Sequence, residues 1–426
     1  PKFTRFGFMF KPPRGTRDFY PEEMRIRNWL FDNFKAAAKS FGFEEYDAPI
    51  LETEELYTRK QGEEITQQLY NFEDKGERKV TLRPEMTPSL ARMVLAKANT
   101  LPMPLKWYSI PQCWRYERMQ RGRLREHYQW NMDIWGSDGA EAEVELLCAI
   151  VNFFERIGIN SSQVGIRVNN RKLLQYVLES AGINEEQFTP VCIIIDKMDK
   201  IPQEVIEEQL SSLGLTSENI KLIQSTLNLK DLKSINETLG NENPAVNELN
   251  QVWELAENYG ITEWIEFDAS VVRGLSYYTG TVFEAFDKSG TLRAICGGGR
   301  YDTLLSTFGG SDIPACGFGF GDVVIMELLS DLDLIPELPS GVDDIVFAMN
   351  EDLREAAMQV ANKLRKNGRS VDLILNKRKM KWVFKHAERS QAKTLVMITP
   401  NEWEQGKVRI KNLENKTEID IDLEEI

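Results

Sequence analysis

Residues 105–136, LKWYSIPQCWRYERMQRGRLREHYQWNMDIWG, hold the side chains whose types and spacing best suit chemistry. Arg115, Arg118, Arg121, Arg123 and Arg125 crowd one short segment of an otherwise acidic chain. Guanidinium forks match phosphate oxygens bidentately, so this segment predicts an anion-binding loop. Downstream, His127, Gln129, Asn131 and Asp133 alternate with Tyr128, Trp130, Met132 and Ile134. Period 2 is the signature of a strand with one polar and one apolar face. The stretch reads as two strands joined by an arginine-rich loop. Gln129 and Asp133 beside a phosphate-binding loop describe a site for a nucleotide and an amine. The simpler alternative is an exposed hairpin whose polar face meets water.

Other segments add candidates. KVTLRPEMT (79–87) is a short β-run ended by Pro84, which leaves Glu85 and Thr87 at a loop rim, where ligands are commonly held. In VVRGLSYYTGTVFEAF (271–286), Arg273 precedes Gly274, and Tyr277 and Tyr278 stand together before β-alternation resumes. Adjacent strand residues point to opposite faces, so both tyrosines reach one ligand only if the chain bends, as Gly280 permits. GGGRYD (297–302) allows close backbone approach, and a tight turn accounts for its glycines but not for Arg300. GFGFGD (317–322) is G-x-G-x-G, not the G-x-G-x-x-G of a dinucleotide fold, which rejects that reading. Its alternating glycines predict a bare strand face for a flat purine or ribose, and Asp322 is expected to cap the following helix.

These residues need a scaffold. A chain of 426 residues predicts two or three domains. A net charge of −14 argues against a protein that coats duplexes, so any nucleic-acid contact must be local. The five cysteines are scattered and only two histidines exist, which argues for reduced thiols and against a structural zinc or histidine metal centre. No apolar run approaches the ~18 residues of a membrane helix. The start at Pro1, with Lys2 and Arg5 and no apolar signal core, reads as trimmed rather than secretory.

A helix is expected from Pro21, with Glu22 and Glu23 in its first turn, a stripe of Ile26, Trp29, Leu30, Phe34, Ala37 and Phe41, and Gly42 at its end. FEEYDAPILE (43–52) predicts a strand at a sheet edge or subunit border, because of Pro49. Residues 140–157 form another amphipathic helix. Residues 175–255 read as an inserted helical subdomain, either a lid or plain scaffold. Pro336, Pro339 and Gly341 mark a linker (330–342) between a core (1–329) and a small unit (343–426) in which strands and helices alternate. In that unit Lys377, Arg378, Lys379, Lys381, Lys385 and Arg389 make a basic patch, a solvated surface or a phosphate-backbone docking face.

Together, RPEMTPSLAR (83–92), WRYERMQRGRLREHYQ (114–129), VVRGLSYYTGTVFE (271–284) and GGGRYD (297–302) closely resemble the histidyl-tRNA synthetases, class II enzymes, over nearly the whole chain. The resemblance implies an α+β fold: a class II antiparallel-sheet catalytic core with a helical insertion, plus a C-terminal α/β anticodon-binding domain. It implies activation of L-histidine with ATP, Mg2+ accompanying the ATP, and transfer of histidine to tRNA(His). By position, Arg115 is expected at the α-phosphate, Glu117 at the adenine edge and Arg123 at the distal phosphates. Glu85, Thr87, Gln129 and Asp133 are expected at the α-ammonium, Tyr277 and Tyr278 around the imidazole, and Arg273 at the reacting carboxylate and phosphate. Arg118 and Gln120 are expected at the tRNA acceptor end. The 43–52 segment resembles the family's dimer-interface motif and implies a homodimer. No membrane partner is implied, and the setting is cytoplasmic, or organellar if a transit peptide has been removed.

Three positions depart from the family pattern. Val323 and Val324 stand where Glu-Arg is usual, and that arginine normally reaches the ATP tail; Arg123 and Arg300 are the candidates to compensate. Ser276 stands where an Asp is common, and Tyr128 where a histidine is common. Two other readings compete: a non-catalytic paralogue, either a regulatory subunit of histidine biosynthesis or a tRNA-sensing module, and a class II synthetase for threonine or proline. Arg273 and the C-terminal unit favour the enzyme over the first; the paired tyrosines and GGGRYD disfavour the second.

Overall fold

The computed structural model describes residues 10–59, 63–180, 182–195, 201–240, 242–271 and 277–426. Contacts divide the chain into two compact units, one of residues up to Asp18 and Trp29–Ile335, the other of Phe19–Asn28 and Pro336–Ile426. The helix Pro21–Ser40 therefore gives its first turns to the second unit, a division that nothing in its apolar stripe announces.

In chain order the first unit contains strands β1 (Glu44–Glu45), β2 (Leu51–Thr53), β3 (Tyr70–Glu73), β4 (Lys79–Leu82), β5 (Leu105–Ser109), β6 (Gln112–Trp114), β7 (Glu126–Trp135), β8 (Val164–Asn170), β9 (Ile265–Phe267), β10 (Thr281–Asp287), β11 (Cys296–Arg300) and β12 (Ala315–Gly321). The main sheet runs β1-β5-β7-β12-β11-β10-β8-β9, with β6 paired to the start of β7. Only the outer pairs, β1 with β5 and β8 with β9, are parallel. The antiparallel catalytic sheet implied by the resemblance is thus present. The 43–52 segment is not one strand: β1 joins the main sheet, whereas β2 joins a separate sheet of order β2-β4-β3. The run between them contains Pro49, which cannot donate to a ladder.

Alternation along β7 does what its pattern predicts. Trp130 and Met132 enter the main core, where Trp130 lies 4.8 Å from Phe34 and 5.0 Å from Phe318, centroid to centroid. The helix Glu141–Arg156 closes that side with Val144, Leu147, Val151, Phe153 and Phe154. Such aromatic burial and packing stabilises the sheet against which the polar face is held. At the middle of the sheet, β11 and β12 lie too close for side chains. A Cβ on Gly298 would sit 2.3 Å from the Gly317 carbonyl oxygen and 2.7 Å from Phe283 and Phe318.

The insertion consists of the helices Arg171–Ser180, Glu185–Ile195, Gln203–Ser212, Ser217–Leu227, Leu232–Leu239 and Pro244–Tyr259. Thr216 and Asn219 form a capping box, and Asp231 and Asn243 cap the next two helices, which is why polar residues punctuate this segment. Leu174, Val191, Ile206, Leu210 and Ile223 form a core of their own. Val246, Leu249 and Val252 of the last helix belong instead to the main core, so that helix is scaffold.

The second unit holds β13 (Asp344–Ala348), β14 (Val371–Leu373), β15 (Thr394–Ile398), β16 (Lys407–Asn412) and β17 (Glu418–Asp422), in the order β14-β13-β15-β16-β17. The first two pairings are parallel and the last two antiparallel. Val346 and Val396 pack with Val360 and Leu364 of the helix Arg354–Lys366. Ile345, Phe347 and Leu395 pack with Val383 and Ala387 of the helix Met380–Ser390. Neighbouring residues thus serve opposite faces, giving an α/β/α sandwich.

Gly298→Ala should destabilise the first unit by roughly 1–3 kcal/mol, the usual range for overpacking, because the Gly317 backbone, the Phe283 ring and the Phe318 Cβ would have to move. Urea unfolding should show the midpoint falling; an unchanged midpoint would mean that β11 and β12 can separate without cost.

Candidate active site

Strand β7 carries the site because its two ends differ in charge. At its start, the segment 13–17 is clipped onto it. The Gly15 carbonyl accepts from the Arg125 and Glu126 amides at 3.0 and 3.2 Å, and Gly15, at φ 87°, leaves no room for a side chain against Arg125. Arg17 donates to Glu126 at 3.0 Å and to Asp322 at 2.9 Å, while the other Asp322 oxygen accepts from the Tyr128 amide at 2.8 Å. Asp322 is therefore not a helix cap: it is the first residue of the helix Asp322–Asp331, and its carboxylate faces β7. Burial pushes its pKa up despite Arg17. Arg17 had no motif to mark it in the sequence.

This bracing aligns a cavity lined by Arg115, Glu117, Gly122, Arg123, Leu124, His127, Arg293, Gly321, Val323 and Val324. Arg115 donates through Nε to the Pro84 carbonyl at 2.9 Å, which sets its guanidinium against the 83–87 loop. Glu117 pairs with Arg123 at 2.9 Å. Arg123 follows a tight turn in which Gln120 and Arg123 bond backbone to backbone and Gly122 takes φ 73°. His127 is kept neutral: burial first, then Arg115, Arg17, Arg123 and Arg293, push its pKa down to about 3. Arg118 and Gln120 are exposed on the same hairpin. Arg121 points elsewhere, to Glu327 at 3.0 Å and Asp331 at 2.6 Å.

Toward the other end of β7 the charge reverses. Asp133 is buried and accepts from the Tyr301 hydroxyl. Burial, with Glu85 adding to it, raises the Asp133 pKa to about 7, against the pull of Tyr301. Tyr277 donates to Glu85 at 3.0 Å and is hydrogen-bonded to Thr87. The rings of Tyr277 and Tyr278 lie 4.9 Å apart, and both neighbour Tyr301. The two tyrosines sit in a turn before β10 rather than in a strand, so they do not diverge. Gln129 lies across Gly319, and Asp133 and Tyr301 lie across Gly317. The bare face expected at 317–319 is thus filled by these polar side chains, not left for a purine.

The structure brings Glu85, Thr87, Asp133, Tyr277 and Tyr278 into one cluster around Tyr301, with Gln129 on the same face of β7, and Arg115, Glu117 and Arg123 into the cavity at the start of that strand. Arg273 lies outside the described residues. Arg300 requires correction. Its Nε and Nη2 grip Glu143 at 2.6 Å each, Nη2 also meets the Gly139 carbonyl, and Nη1 meets the Ser137 carbonyl and Asp302. A guanidinium has five N–H donors, and all five are committed. Arg300 is therefore a buried structural anchor with nothing left for ATP. Tyr301, its neighbour, is the residue of that motif that reaches the site.

An antiparallel sheet with an arginine-lined cavity and an acid–tyrosine pocket along one strand is the catalytic architecture of a class II aminoacyl-tRNA synthetase. Residues 15–321 match the family model described as histidyl-tRNA synthetase, and residues 344–426 match an anticodon binding domain. The chain is 54% identical over 415 residues to a histidine–tRNA ligase, chloroplastic/mitochondrial, of Arabidopsis thaliana, covering 97% of this chain and 85% of that one. It is 39% identical to a histidine–tRNA ligase of Opitutus terrae, covering 98% and 97% respectively. The crystal structure of a histidyl-tRNA synthetase from Nostoc sp. PCC 7120 superposes with a TM-score of 0.79 at 27% identity, over 98% of both chains. The chain belongs to the histidyl-tRNA synthetase family.

Asp133 gives the protein a distinctive pH response. An unfolded aspartate ionises near 4, and the folded one near 7, so its contribution to stability is complete below 4 and is lost as pH rises through 7. Between pH 5 and 7, wild type should lose up to roughly 1.4 kcal/mol per pH unit relative to Asp133→Asn. Urea unfolding of both proteins at stepped pH tests this; parallel curves would mean that Asp133 titrates normally.

Proposed function

We propose that this chain is a histidine–tRNA ligase working in two steps. A histidine carboxylate oxygen attacks the α-phosphorus of ATP, the bond to the β-phosphate's bridging oxygen breaks, and pyrophosphate leaves. The 3′-terminal hydroxyl of tRNA(His) then attacks the carbonyl carbon of the adenylate, and AMP leaves. The observation that carries this reading is the pairing, along β7, of a cationic cavity with a pocket of carboxylates and tyrosines. A polyanion and an α-ammonium bearing a small ring fit those two environments in order.

Arg115 is the α-phosphate ligand in this reading, anchored by Pro84 so that its outer nitrogens face the reacting centre. Its charge counters what develops on phosphorus, the kind of preorganised electrostatics on which phosphoryl-centre chemistry depends. Arg273 shares that task at the carboxylate. Glu117 meets the adenine edge and Arg123 the distal phosphates. Magnesium would accompany ATP and offset the concentrated charge of its phosphates. Glu85, Thr87, Gln129 and Asp133 hold the α-ammonium by charge-assisted and neutral hydrogen bonds, and Tyr277 and Tyr278 address the imidazole, which offers one donor and one acceptor.

Residues 1–329 serve as the catalytic core, 330–342 as the linker and 343–426 as the anticodon reader. Lys377, Arg378, Lys379, Lys381, Lys385 and Arg389 are exposed, and Trp382 stacks on His386 at 4.8 Å with Arg378 over its ring. A cationic surface with a stacking platform suits single-stranded bases. Arg118 and Gln120 meet the acceptor end. A homodimer is supported by exposed Ile50, Leu51 and Phe72, which cluster around the small sheet. Translation in the cytoplasm or in an organelle fits the five free cysteines and the name of the 54% identical relative.

Histidine-dependent exchange of labelled pyrophosphate into ATP, run beside threonine, proline and glycine, tests the reading. Exchange is expected with histidine alone; histidine binding without exchange would assign the chain to the regulatory paralogues. Leu51→Glu combined with Phe72→Glu should shift the sedimenting species from twice the chain mass to the single-chain mass, and a single-chain mass for wild type at micromolar concentration would exclude the dimer.

A further inference from the structure

Val324 leaves a cationic position empty, yet the cavity beside it contains a third guanidinium that no motif contains. Arg293 lies in the loop between β10 and β11. An ideal Cβ on Gly122 would stand 3.2 Å from Val324 Cγ2 and 3.9 Å from Arg293 Cδ, so the arginine stem reaches the spot where the valine ends. Among the described residues Arg293 makes no ion pair or hydrogen bond. Burial, then Arg123, with Arg115 also contributing, holds its pKa below the usual arginine value, although Glu117 and Glu284 oppose this. Three guanidiniums thus face one cavity whose lining holds a single carboxylate, already taken by Arg123.

The loop that carries Arg293 is fixed. Asp287 accepts from the Ser289 amide at 2.9 Å and from the Thr291 amide and hydroxyl at 3.2 and 3.1 Å, Gly290 takes φ 73°, and the Ile295 amide returns to Ala285 at 2.8 Å. An arginine on a preorganised loop that makes no direct ion pair or hydrogen bond among the described residues is arranged for an anionic ligand. Arg115 is tethered at Pro84, toward the amino-acid pocket, whereas Arg293 meets the Gly122 turn beside Arg123, which places it at the far end of a bound triphosphate.

We propose that Arg293 binds the β- and γ-phosphates of ATP, and the departing pyrophosphate, in the place of the arginine that Val324 lacks. This rests on the ligase reading above and adds a residue to it. Arg293 stays charged throughout and offers its outer nitrogens to phosphate oxygens as negative charge moves onto the leaving group.

The test is histidine-dependent pyrophosphate exchange with wild type, Arg293→Ala, Arg293→Lys and, as a control for the general field, Arg121→Ala. Wild type without exchange would defeat the ligase reading itself, before Arg293 is in question. With an active wild type, Arg293→Ala should raise the KM for ATP and for pyrophosphate 10- to 100-fold and leave the KM for histidine within twofold. Arg293→Lys should fall between, and Arg121→Ala should match wild type. The ligand-free melting temperature of Arg293→Ala should equal or exceed that of wild type, since a like charge has been removed from a crowded cavity. An ATP KM within threefold of wild type, an equal effect from Arg121→Ala, or a melting temperature several degrees lower would each overturn the proposal, the last by showing Arg293 to be a brace.

Discussion

Like charges do not share a partly buried site without something to offset them, and two such groupings occur along one strand. At the start of β7, Arg115, Arg123 and Arg293 face a common cavity; farther along, Asp133 and Glu85 meet among tyrosines. In the proposed reading the opposition between them is also a ruler: it would set which end of a polyanion and which end of an amino acid lie together. The sheet, the apolar helices behind it and the 13–17 clip hold that ruler straight.

Arg300 and Arg293 show how the same residue type serves opposite ends. Arg300 is nearly inaccessible and has every donor matched, so its charge ties β11 to the 137–139 turn and to the helix after it. Arg293 is half-buried, makes no direct ion pair among the described residues and is held by its loop. Residue type alone cannot separate these cases. The donor-by-donor accounting does, because a buried guanidinium that is fully bonded has no capacity left for a ligand.

Much of the arrangement was legible in the sequence. The period of β7, the arginine hairpin, the rim residues Glu85 and Thr87 and the alternation in the C-terminal unit all follow from local rules that act between near neighbours. What was not legible depends on pairing across long separations. Arg17 meets Asp322 and Glu126, Tyr301 meets Asp133, and Arg293 meets Gly122 and Val324; none of these lies in a pattern that a single segment reveals. The 43–52 segment looks continuous because its residues favour extension at both ends, yet they belong to two different sheets. Tyr277 and Tyr278 have strand-like neighbours, but the strand begins only after them, at Thr281.

The proton on Asp133 has a consequence for how the pocket fills. With its pKa raised to about 7, that carboxyl is present in both forms near neutrality, and a ligand that brings a positive group to it would select the ionised one. Binding of such a ligand would therefore expel a fraction of a proton into solvent. The heat measured on binding then depends on which buffer catches it, and affinity drifts upward as the medium becomes more alkaline. On taking up a cation there, the protein would act as a weak acid whose strength is set by its ligand.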